Sequence, residues 1–190
     1  IVPYLQIKDL TFSLQYGMIY YNMLLFPLAQ GSSRKSRKDI IMEIERKFLV
    51  MTPPENYESF PCHEIEQAYS AQAGNPVRKE DDTCYLTYKS KGLLAREEYN
   101  LPLTKEAYTH LLTKADGNIL TKKRYLIPVP GREDPLLEFD VFEEKFAGLM
   151  LAEIEFTCEE DAREFPPLSW FDRDVTWSGE YQNSRLSKMP

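Results

Sequence analysis

Met42-Glu43-Ile44-Glu45-Arg46-Lys47-Phe48-Leu49-Val50 alternates charged and apolar side chains with a period of two. That period is the mark of a β-strand with one face toward an apolar environment and the other toward a polar one. Pro53-Pro54 ends the run. The same reading applies to residues 64–70, 76–79, 84–89, 93–101, 119–129, 136–142 and 149–157, each bounded by turn residues. About eight such strands are the number expected of a small closed barrel. One helix interrupts them: Thr104 is placed as an N-cap, Ala107, Leu111 and Ala115 share a face with Tyr108 and Leu112 beside it, and Gly117 is placed to end it. A short helix is expected at residues 159–164. The tail, with Trp170, Phe171, Val175, Trp177, Tyr181 and Leu186, is aromatic enough to pack on the barrel.

The charged positions are not random within these strands. Glu43/Glu45/Lys47, Arg78 with Glu80, Lys89 beyond Thr87, Arg96/Glu98, Lys122/Arg124, Glu138/Asp140 and Glu153/Glu155 all stand two apart, while Ile44, Phe48, Phe139, Val141, Ile154 and Phe156 fill the alternate rows. An ordinary antiparallel sheet with its polar face in water also alternates. Here, however, the ionic rows lack the Ser, Thr and Gln that dilute a solvated face, the acids recur as i,i+2 pairs, and eight strands tend to close around the ionic side. Grouped carboxylates are costly without a cation, and rows of Lys and Arg are costly without an anion. A metal-bound polyphosphate relieves both: carboxylates suit Mg²⁺ or Mn²⁺, which share coordination with phosphate oxygens and water, and Arg and Lys match the remaining phosphate charge. Lys122 is preferred to Lys123 because it shares parity with Arg124.

Glu43-Ile44-Glu45-Arg46-Lys47 resembles the ExExK signature that opens the CYTH superfamily, the triphosphate tunnel metalloenzymes. ExExK alone is weak, but the resemblance continues in family order through Gln67-Ala68-Tyr69, Val77-Arg78, the run from Tyr85 to Lys89, Arg96-Glu97-Glu98, the run from Lys122 to Tyr125, the run from Glu138 to Phe142, the run from Leu151 to Glu155, Asp174-Val175-Thr176 and Tyr181-Gln182-Asn183. It covers 42 to about 188, and the form opening at Met42 most resembles the short bacterial inorganic triphosphatases.

The resemblance implies an α+β, mainly β fold: an eight-stranded antiparallel barrel with flanking helices and a charged tunnel. It implies a metal-dependent triphosphatase acting on inorganic tripolyphosphate with Mg²⁺ or Mn²⁺. Adenylate cyclisation, thiamine triphosphate hydrolysis and non-catalytic polyphosphate or nucleotide sensing stay open as alternatives. Carried over by position, Lys47, Arg78, Lys89, Lys122 and Arg124 would hold phosphates. Glu138, Asp140, Glu153 and Glu155 would hold metal, and Glu43 and Glu45 would bind metal or orient water. Glu43, Glu45, Lys47 and Lys89 form the expected catalytic set. Many family members carry a second Arg two residues after Arg78, where this chain has Glu80. Many also carry a third acid where this chain has Asn100, so Arg96 and Glu98 are not carried into the site. The C-terminal segment can close one tunnel mouth in this family, which would bring Tyr181 and Asn183 to the site.

Residues 1–41 read as a separate extension and linker before a domain at 42–190. They carry five Lys/Arg against two acids, a net of +3, so the remainder holds −10 of the chain's −7. An acidic domain is a poor nucleic-acid binder. The apolar run at residues 17–29 is too short for a membrane span, and Asn22 and Pro27 interrupt it. Met42 is the expected native start. Cys62, Cys84 and Cys158 form no CxxC pair and His63 and His110 are the two histidines, which leaves too few ligands for a Cys/His zinc site. Reduced thiols suit the cytoplasm. His63 and His110 read as surface side chains and Cys84 as a small buried hydrophobe. P-loop, Rossmann and nucleophile-elbow motifs are missing. The expected partner is a small triphosphate, with no nucleic acid, no membrane contact for the domain, and a monomeric or homodimeric state.

Overall fold

The structure, a computed structural model, describes residues 41–70, 75–131 and 136–190. The expectations for the apolar run and the basic linker at residues 1–40 lie outside the described residues. Eight strands form the barrel: β1 (Ile41–Leu49), β2 (Cys62–Tyr69), β3 (Pro76–Glu80), β4 (Thr83–Lys89), β5 (Ala95–Leu103), β6 (Leu120–Pro128), β7 (Leu136–Phe142) and β8 (Met150–Glu155). All their pairings are antiparallel, in the order β5-β4-β3-β2-β6-β7-β8-β1, and a β1–β5 ladder with Glu43 opposite Arg96 closes the ring. A two-residue strand, β9 (Arg173–Asp174), adds to β1 at Phe48 and Leu49 and is the tail's unforeseen contribution to the sheet. Among the described residues no helix is long and apolar enough to cross a membrane.

The period-two rows place the core outside the barrel. Ile44, Phe48, Leu137, Phe139, Ala152, Ile154 and Phe156 point away from the bore and pack with Ala162 and Phe165, at and after α2 (Glu159–Glu164), and with Trp170 and Phe171 of the tail. Phe171 stacks on Phe48 with ring centroids 4.3 Å apart. Helix α1 (Lys105–Leu112) covers β2, β3 and β4 through Tyr108, which meets Ala68, Val77 and Cys84. Arg46 is the charged member of the outer row of β1. It is buried, donates to the Ala162 carbonyl at 2.5 Å and pairs with Asp174 at 2.6 Å, so one cation ties α2 and β9 to β1.

The inner rows change character along the barrel. Tyr69 follows Gln67, Leu120 precedes Lys122, Phe142 follows Asp140, and Leu151 precedes Glu153, each with the parity of its charged neighbour. These four apolar side chains gather with Val175 and with Leu186 of α3 (Asn183–Leu186), so hydrophobic side chains and the tail fill one end of the bore.

Helix α1 starts as its sequence indicates, with Thr104 Oγ1 accepting from the Ala107 N–H. It ends at Leu112, well short of Gly117. Lys114 and Ala115 donate to the carbonyls three residues back, and the Asp116 N–H turns away to the Tyr69 carbonyl. Gly117 then serves a different purpose from the helix stop expected of it. Its φ of +85° and the Ser187 carbonyl oxygen 2.3 Å from where a Cβ would stand make it the seat for the end of α3. Strand β5 runs two residues past its expected end, through Pro102. That half of β5 has only β4 as a partner in the described residues, so the missing N–H costs no ladder bond on the β1 side.

Candidate active site

The bore holds a cavity of about 580 Å³ lined by inward rows from all eight barrel strands and by Gln182, Asn183 and Ser184. Its charge is polarised. The contiguous arc β7-β8-β1-β5 supplies Glu138, Glu153, Glu155, Glu43, Glu45 and Glu98, with Lys47 and Arg96 among them. The opposite arc β4-β3-β2-β6 supplies Lys89, Arg78 and Arg124, and its sole acid at the cavity is Glu80.

On β1, Lys47 Nζ lies 2.7 Å from Glu153 and 3.3 Å from Glu45. Burial pulls the Lys47 ammonium toward neutrality, but Glu153 and Glu45 outweigh it and hold the group charged above its ordinary range. Arg96 Nε donates to Glu43 at 2.5 Å and its Nη2 reaches Glu45 at 3.5 Å. The sequence reading sets Arg96 aside, yet it is the cation that orients both acids of the opening motif. Its parity with Glu98 and its register opposite Glu43 are the signal that finds it. Lys89 bridges Glu43 at 3.0 Å and Glu98 at 2.7 Å. Burial lowers the Lys89 ammonium, and Glu43 and Glu98 raise it further than burial lowers it.

Arg124 is the hub of the opposite wall. Its Nε and Nη2 fork onto Asp140 at 2.7 Å each, Nη2 reaches Glu153 at 2.8 Å, and Nη1 contacts Glu138. Two expected contacts are set back from the cavity. Asp140 is 0% exposed and Lys122 2%, they pair with each other, and neither lines the bore. Both Asp140 oxygens are taken by Arg124 and Lys122, so Asp140 orients Arg124 and has no oxygen open to a cation in the bore. Lys123, of the opposite parity, faces out near Glu143 at 3.6 Å.

Glu155 stands directly across from Glu45 in the β1–β8 ladder and has no ion-pair partner among the described residues. It is exposed to the cavity, yet the barrel wall flanks it. Burial on those flanks and the nearby Glu138, Glu43 and Glu45 carboxylates push its carboxyl up to about 8. Arg78 Nη2 pairs with Glu80 at 3.4 Å, and Tyr85 donates to Glu80 at 2.5 Å.

The neutral end of the cavity is a relay: Asn183 Nδ2 donates to Gln67 Oε1 at 3.4 Å and Gln67 Nε2 donates to the Tyr69 hydroxyl at 2.7 Å. Tyr181, by contrast, packs beside the apolar plug and accepts from Arg173. His63 pairs with Asp81, away from the cavity lining.

A barrel that packs its core outward and opposes acids to cations across its bore has the architecture of the CYTH, or triphosphate tunnel, superfamily. No protein-family model matches the chain. An inorganic triphosphatase of Nitrosomonas europaea is 33% identical over 149 residues, 76% of this chain and 96% of that protein. An inorganic triphosphatase of Acetivibrio thermocellus is 33% identical over 155 residues, 78% and 94% of the two chains. A crystal structure of an inorganic triphosphatase superposes with a TM-score of 0.60 at 30% identity, over 78% of this chain and 95% of that one. The chain belongs to the inorganic triphosphatases of this superfamily.

Proposed function

We propose that the chain hydrolyses inorganic tripolyphosphate to pyrophosphate and phosphate with Mg²⁺ or Mn²⁺, inside the bore. The observation that carries this reading is the polarised lining: acids on one arc facing Lys89, Arg78 and Arg124 on the other. The names and identities of the relatives support the substrate.

Among the described residues no three acids already converge as a metal cage. Mg²⁺ does not require one, since it takes one or two carboxylates with phosphate and water completing the shell. Glu45 and Glu155, opposed and with Glu155 unpaired among the described residues, fit that requirement, with Glu43, Glu138 and Glu153 beside them. A divalent cation there would neutralise phosphate charge and make water more acidic.

Arg78, Lys89, Arg124 and Lys47 hold the three phosphates and balance the charge that spreads over the terminal group as it departs. Glu43 and Glu45, held in orientation by Arg96, place the attacking water in line with the terminal phosphorus and accept its proton as the P–O bond to pyrophosphate breaks. Lys89, kept protonated by Glu43 and Glu98, serves as a phosphate contact.

The test is phosphate release from tripolyphosphate by the full chain with Mg²⁺, Mn²⁺ or chelator, beside ATP and thiamine triphosphate. Glu43→Gln and Lys47→Ala are each expected to cut kcat by about 100-fold or more. Release that survives chelation, or full activity in both variants, would overturn the reading.

A further inference from the structure

Glu80 is out of place electrostatically. Along β4, β3, β2 and β6 it is the single acid at a wall otherwise supplied with Lys89, Arg78 and Arg124. Its position along the bore is equally specific. Tyr69, part of the apolar plug, lies opposite Pro76 at one end of β3, and Glu80 is the residue at the other end, before the turn into β4. Four residue steps separate them, roughly 13 Å of strand. Glu80 therefore stands away from the plugged end, on the approach to the phosphate-binding cations.

The side chain is fixed there by Tyr85, whose hydroxyl donates at 2.5 Å, and by Arg78 Nη2 at 3.4 Å. Burial raises its carboxyl, but Arg78, the Tyr85 hydroxyl and Arg124 pull it lower than burial lifts it, so it stays charged. Arg78 is correspondingly half-committed. Nη2 faces Glu80, while Nε is shielded from solvent with no hydrogen-bond partner among the described residues, a donor left for an incoming oxygen.

We propose that Glu80 is a specificity-determining residue that reads polyphosphate length: its carboxylate beside Arg78 repels a fourth phosphoryl group at the outer end of a chain whose first three are held deeper in the bore. A triphosphate seated on Lys47, Lys89 and Arg124 reaches Arg78 and ends there. A longer chain must place further negative charge next to Glu80, where Arg78 is the cavity-lining cation of β3 and Arg124, the next nearest, is already engaged by Asp140, Glu138 and Glu153. At an effective dielectric near 20, one such repulsion corresponds to about a tenfold loss of affinity at a separation of about 12 Å, and to more at closer approach.

This inference rests on the proposed triphosphate reading. The experiment therefore measures binding and turnover separately, on the full chain, with tripolyphosphate and linear tetrapolyphosphate as probes. Calorimetric Kd and kcat/KM are taken for wild type, Glu80→Gln and Glu80→Ala, with circular dichroism to confirm folding. Glu80→Gln keeps the shape and the contact with Tyr85, and Glu80→Ala removes both. The expected result is that in each variant the preference for tripolyphosphate over tetrapolyphosphate narrows by about tenfold or more, in Kd and in kcat/KM alike. A merely structural role would weaken both probes together and leave the ratio unchanged. An unchanged or widened ratio, with wild type still binding tripolyphosphate, overturns the length filter alone. Failure of wild type to bind either probe overturns it together with the functional reading.

Discussion

Glu155 carries the sharpest pH consequence of any single residue in the bore. Its carboxyl is raised from its ordinary 4.5 to about 8 by burial on its flanks and by the carboxylates of Glu138, Glu43 and Glu45. Between those two values the folded chain binds a proton that the unfolded chain has released. The associated stability is therefore complete below about pH 4.5 and disappears as pH rises through about 8. Opening onto cavity water screens the effect. With chelator present, Glu155→Gln is expected to melt above wild type at about pH 8, with the gap closing toward about pH 4.5; an equal gap across the range would contradict the assignment. The inward direction of Glu43, Glu45, Lys47, Glu153 and Glu155 was legible from parity alone. The division of labour among them was not, because it depends on cross-strand partners: Glu153 is engaged by Lys47 and Arg124, while Glu155, two residues on, has no ion-pair partner among the described residues.

Elements were legible where period two was sustained and blurred where tertiary contacts set the ends. β1, β4 and β7 run close to their expected bounds because their rows are unbroken. Helix α1 stops early because the chain must turn to bring Gly117 and Asn118 under α3, where the Asn118 N–H donates to the Ser187 carbonyl at 2.7 Å. Nothing in residues 104–117 announces a partner some seventy positions away. Gly117→Ala would set a Cβ against that carbonyl in a backbone conformation that side chains resist, so a loss of at least about 1 kcal/mol in urea unfolding is expected. No change in stability would mean that α3 is not seated there.

For the molecule as a whole, the closed end of the bore is the part that sequence reading foresaw least from the residues themselves. The resemblance implied a tail near one mouth, but the switch of the inner rows to Tyr69, Leu120, Phe142 and Leu151 was present in the sequence as a change of residue type at constant parity. Leu186, 2% exposed, is the tail's anchor in that cluster. Leu186→Ala is expected to cost about 2–5 kcal/mol in denaturant and to increase binding of an apolar dye. A neutral substitution would show that the plug closes without it.

Because the hydrophobic core lies outside the barrel, neighbouring residues of one strand answer to different demands. Phe48 holds the molecule together while Lys47 faces the cavity, and Ile154 does the same beside Glu153. Chemistry and cohesion are thus interleaved along the same strands at odd and even positions. A lineage can rewrite what the bore recognises, one alternate letter at a time, while leaving untouched the letters that keep it folded.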